Sequence, residues 1–99
     1  MDSKSNMAWP WTHVDDTVLV QTGGGTLHSV VVNGLTTAGD ITLYDGVDNT
    51  GDVIAVLHLD PATSISVQPI PFPYDAKVDD GIYVEYDQTA VADLTVMHI

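Results

Sequence analysis

Three groups of residues have the types and spacing from which chemistry is built: an acid-rich loop at 45–52, four histidines, and aspartates spread along the chain. The loop reads Asp45-Gly46-Val47-Asp48-Asn49-Thr50-Gly51-Asp52, and oxygen donors at that density can hold calcium. The EF-hand arrangement needs oxygens at alternating positions, a glycine at the sixth and a glutamate at the twelfth, and the loop lacks that order. Asp, Asn and Gly also make ordinary turns, because they tolerate unusual backbone angles, so the loop is read as a plain turn.

His13, His28, His58 and His98 stand 15, 30 and 40 residues apart. Zinc and iron sites draw at least two ligands from one short local spacing, and none occurs here. His28, His58 and His98 would form a site only by meeting across adjacent strands; half-exposed strand positions are the plainer expectation. No serine sits in a G-x-S-x-G elbow, and Gly23-Gly24-Gly25 lacks the Lys-Ser/Thr that completes a phosphate loop. Paired aspartates can hydrolyse glycosides, but a chain of 99 residues has little room for a cleft that buries a substrate. The expectation is a non-enzymatic protein with no catalytic residue, cofactor or metal.

The residues singled out for partner binding are Trp9, Pro10 and Trp11, where a proline holds two large rings in an extended segment. Either both indoles fold back as a lid over the domain, or they anchor a partner, since tryptophan is enriched at interface hot spots.

The elements that must position these groups are strands. Residues 1–15 show neither helical nor strand period and read as an irregular N-terminal arm; residues 16–99 read as one domain. Period two begins at Thr17-Val18-Leu19-Val20-Gln21 and returns in residues 26–32, 41–44 and 53–59, then around Ile65 and Val67, and in residues 82–87 and 93–99. Glycine, proline and Asp/Asn turns separate these runs. Residues 68–74 alternate proline with Ile70, Phe72 and Tyr74, which suits a sheet edge or a crossover. About seven strands at this spacing predict a single antiparallel all-β sandwich, jelly-roll-like.

The net charge of −12 arises from 14 acidic residues against Lys4 and Lys77, with no arginine. A nucleic-acid binder needs cations to displace counterions from phosphates, so direct nucleic-acid binding is excluded, and anionic membrane surfaces are disfavoured for the same reason. There is no cysteine, so neither disulfides nor thiolate metal sites are available. The first residues lack the basic start and apolar stretch of a signal peptide, which predicts a soluble, unexported chain.

The order Gly25, Leu27-His28, Val30-Val31-Val32-Asn33, then Leu43-Tyr44-Asp45, then Gly51 with Val53-Ile54, and later Gly81-Ile82-Tyr83-Val84, resembles the small structural proteins encoded near the capsid genes of tailed bacteriophages. The resemblance spans roughly residues 16–99. It implies a sandwich that decorates or cements the phage head, commonly as a homotrimer, bound to the major capsid protein on the outer surface of the virion. Trp9-Pro10-Trp11 falls outside that pattern. The alternative from another class is a carbohydrate-binding or host-attachment module on a fibre or tail, with Trp9, Trp11, Tyr44, Tyr83 and Tyr86 as the available rings.

Overall fold

Ile41 and Leu43 are fully buried, while Thr42 and Tyr44 lie half-buried on the other side of the same strand, as alternation requires of a sheet with one face covered. The same pattern runs through the computed structural model of the chain, which describes residues 9–60 and 69–99. These residues form eight strands: β1 (Trp11–Val14), β2 (Val18–Thr22), β3 (Gly25–Thr37), β4 (Gly39–Asp45), β5 (Asp52–Leu59), β6 (Ile70–Val78), β7 (Gly81–Tyr86) and β8 (Val91–His98).

The strands make two antiparallel four-stranded sheets, β1-β8-β3-β6 and β2-β7-β4-β5. The pairs β4–β5, β3–β6, β2–β7 and β1–β8 nest one outside the next. The chain is thus paired like one long hairpin, bent at the β4–β5 turn and rolled into two layers. The expected all-β sandwich is the observed fold. Its core takes Val14, Leu27, Val30, Val32, Val78, Leu94 and Val96 from the first sheet, and Ile41, Leu43, Leu57, Leu59, Ile82 and Val84 from the second. Burial of these aliphatic side chains is the main drive to fold, and β-branched residues suit the pleated inner faces.

Residues 11–14 correct the expectation of an irregular arm over 1–15. They form β1, which pairs with β8 from Trp11↔Met97 to Val14↔Leu94, and Val14 is 2% exposed in the core. The cause is a register that four residues cannot announce: Thr12 and Val14 turn inward only because β8 lies beside them. The run around Ile65 and Val67 lies outside the described residues. The proline-alternating segment belongs to β6, an edge strand among the described residues, as expected, and Pro71 and Pro73 are among its exposed positions.

Gly81 opens β7 with φ at +148°, a region that side-chain-bearing residues avoid, and a Cβ there would collide with the Gln21 carbonyl oxygen. Gly81→Ala is therefore expected to destabilise the domain by about 1–3 kcal/mol, read as a lower urea midpoint with an unchanged denaturant slope. An unchanged midpoint would mean that the β2–β7 end relaxes freely.

Candidate functional site

The first sheet's outer face carries two straight rows of side chains fixed by register. One row runs Trp11–Met97–Ser29–Pro73, and the next runs His13–Thr95–Val31–Pro71. Trp11 is 67% exposed, although its backbone is held in the β1–β8 ladder. A rigid strand therefore presents a large indole to solvent, beside the half-buried Met97.

The three residues predicted to bind a partner separate in the structure. Trp9 folds back and stacks on His28, with ring centroids 4.4 Å apart and planes tilted by 34°. His28 in turn meets the hydroxyl of Ser29 at 3.1 Å. The Pro10 carbonyl accepts the backbone N–H of His98 at 3.0 Å, so it fixes the entry into β1. Only Trp11 projects freely. The lid and the anchor readings thus each describe one indole.

The histidines are dispersed and individually partnered. His13 Nε2 lies 2.9 Å from an Asp93 carboxylate oxygen, and Asp93 also accepts from Asn33; these bonds lower the Asp93 pKa, with that to His13 the larger cause. His58 meets Asp40 at 2.9 Å. His98 meets Thr12 at 2.8 Å and Gln21 at 2.6 Å, and burial lowers its pKa. Among the described residues no three His, Asp or Glu side chains converge in a geometry suited to a metal ion.

The carboxylates of the 45–52 loop point apart. Asp45 accepts the backbone N–H groups of Asp79 and Asp80, pinning the β6–β7 turn and lowering its own pKa, chiefly through Asp80. Asp48 accepts from the backbone and hydroxyl of Thr50, while Asn49 donates to Glu85 at 3.2 Å. This is turn chemistry.

Asp87 performs the same service at the other end of the sandwich. It accepts the backbone N–H groups of Asp40, Ala90 and Thr89, which pull its pKa down to about 2 from 3.8. A depressed carboxylate stabilises the fold fully above its unfolded pKa, and that contribution fades as pH falls from about 4 towards 2. Asp87→Asn should lower the urea midpoint at neutral pH, and the two proteins should converge as pH approaches 2. A gap that stays constant across this window would show that the carboxylate charge is not the source.

On the second sheet's outer face another row runs Leu19–Tyr83–Tyr44–Val53. Tyr44 and Tyr83 lie 6.1 Å apart with planes at 47°, and the Tyr44 hydroxyl donates to Glu85 at 3.1 Å. Tyr86 does not join them. It is 8% exposed, and its hydroxyl donates to the Ala92 carbonyl at 2.9 Å, so it is a core residue. Sequence reasoning named Tyr44 and Tyr83 as available rings but missed their contact, which depends on β4 lying beside β7. No protein-family profile, curated protein or solved structure matches this chain.

Proposed function

We propose that this chain is a non-enzymatic virion structural protein that decorates and stabilises a phage capsid by binding the major capsid protein, with Trp11 as its anchor. The observation that carries the reading is the indole of Trp11, 67% exposed on a strand whose backbone is fixed. A preorganised aromatic loses little entropy on binding and gains a large apolar area. The capsid partner follows from the strand-and-turn wording that resembles phage structural proteins.

Two further features support it. The nested strand pairing of the sandwich supports a jelly-roll reading, an architecture used by viral capsid and lectin domains. The charge of −12 also repels the packaged nucleic acid, leaving protein contacts as the means of attachment. Each copy would add interface across a joint between capsid subunits, and a homotrimer at a three-fold position would multiply weak contacts through effective concentration.

Cosedimentation of the purified protein with shells assembled from the major capsid protein of the same virus tests this. Saturable binding is expected; absence of binding to intact shells would overturn the reading. The Tyr44–Tyr83 pair beside Glu85 and Asn49 favours a second reading, a carbohydrate-binding module, since paired rings with nearby polar groups suit a sugar. A glycan array without signal would remove it.

A further inference from the structure

The outer face of the second sheet sets two tilted rings beside a carboxylate. Tyr83 and Glu85 stand two residues apart on one side of β7, and Tyr44 of β4 pairs with Tyr83 in register. Glu85 is held by two donors: the Tyr44 hydroxyl reaches Oε1 at 3.1 Å and the Asn49 amide reaches Oε2 at 3.2 Å. A carboxylate has about four acceptor positions, two on each oxygen, so one position on each oxygen remains. Both donors are neutral. Among the described residues no cationic side chain pairs with Glu85, and Lys77 lies instead against Asp79 at 3.6 Å. The carboxylate is thus oriented without being neutralised, and it keeps the two acceptor positions that a guanidinium fills with parallel N–H groups.

The rings select the same chemistry. The face of a tyrosine is negative, and a guanidinium rests against it while its nitrogens bond a neighbouring carboxylate. Planes inclined at 47° offer two faces to a compact cation, not the single flat platform on which a sugar ring lies. The net charge of −12 adds a field that draws in a cation and does nothing for a neutral sugar.

The row through the rings sets the rest of the ligand. Leu19 on β2, 39% exposed, and Val53 on β5, 58% exposed, flank the Tyr83–Tyr44 pair. They stand three strand spacings apart, about 14 Å at roughly 4.8 Å each. In an extended chain, residues i and i+4 point the same way and lie about 13 Å apart, with residue i+2 midway between them. A segment crossing the four strands along this row therefore sets apolar side chains over Leu19 and Val53 and its central side chain over the two rings, beside Glu85.

We propose that Tyr44, Tyr83 and Glu85 receive an arginine side chain from a partner protein, presented at the centre of an extended apolar-x-arginine-x-apolar segment that lies across β2, β7, β4 and β5. The site is on the sheet opposite Trp11 and stands independently of the capsid reading. A sugar on the same rings is the competing occupant.

The probe is a labelled leucine-serine-arginine-serine-leucine peptide with blocked ends, titrated beside the same peptide carrying citrulline, which keeps the shape of arginine without its charge. The arginine peptide is expected to bind about tenfold or more tighter than the citrulline peptide and to shift the NMR signals of Tyr44, Asn49, Tyr83 and Glu85. Glu85→Gln should erase most of that difference while leaving the citrulline peptide unchanged, a coupling that lost packing alone does not produce. Trp11→Ala should bind the arginine peptide like the parent, so failure of the capsid reading and failure of this site are separate results. Equal binding of the two peptides, signal changes confined to other residues, or no signal change at millimolar peptide would each overturn the proposal. So would a neutral oligosaccharide that shifts these signals where the arginine peptide does not. If Glu85→Gln loses the native circular dichroism, the two peptides and the signal map decide on the parent protein.

Discussion

Trp11→Ala is expected to leave the sandwich folded and to weaken attachment to capsid shells by about thirtyfold or more, the loss typical of truncating a hot-spot aromatic. The indole contributes little to the core, being 67% exposed, and the backbone of β1 keeps its pairing with β8 whatever the side chain at its first position. Melting temperature should therefore change little while cosedimentation collapses, a separation that a purely structural role for Trp11 would not produce. Removal of residues 1–15, the truncation that an irregular arm would invite, is a poorer test. It also deletes Val14 from the core and exposes the ladder edge of β8, so lost binding would be confounded with lost stability. Trp9→Ala gives the useful contrast. That ring stacks on His28, and its loss should affect binding far less than loss of Trp11. If Trp11→Ala binds shells as well as the parent, the first sheet's outer face is not the attachment surface.

Leu94→Ala is expected to destabilise the domain by about 2–5 kcal/mol, the cost of deleting a fully buried leucine and leaving a cavity. Leu94 sits on β8, between Val14 of β1 and Val32 of β3, with no exposed surface. Small domains have only about 5–15 kcal/mol of stability in total, so this substitution should bring the protein close to its unfolding threshold. Urea denaturation followed by circular dichroism reads the effect. Met97→Ala, three residues along the same strand but on the half-buried outer face, should cost much less. A loss at Leu94 no larger than at Met97 would mean that the interior closes over the missing atoms, contrary to the close packing of protein cores.

Much of the fold was legible in short stretches of sequence. The alternation of Ile41, Thr42, Leu43 and Tyr44 names the buried face of β4 without reference to any neighbour, because a strand's side chains point to opposite faces in turn. Pro71 and Pro73 mark β6 as an edge, because proline cannot donate to a ladder on both sides. The candidate site was less legible. Trp9 and Trp11 have the same residue type and parity, yet one stacks inward on His28 and the other faces solvent. That difference depends on what lies across from each, and parity carries no such information. Tyr86 was grouped with exposed rings for the same reason: its burial follows from the carbonyls of Val14 and Ala92 meeting its hydroxyl.

By itself, then, the sequence determined an acidic all-β domain, the inward face of most strands, and the lack of any thiol, since these rest on residue type and on a local period of two. Tertiary structure alone decided which strands are neighbours. It made β1 a strand, set His13 against Asp93 across 80 positions of chain, brought Tyr44 beside Tyr83, and turned one tryptophan outward. The physical reason is that strand pairing is a non-local contact, chosen by which hydrophobic faces can close over a single core, and residues far apart in sequence show that choice only once the two sheets have come together.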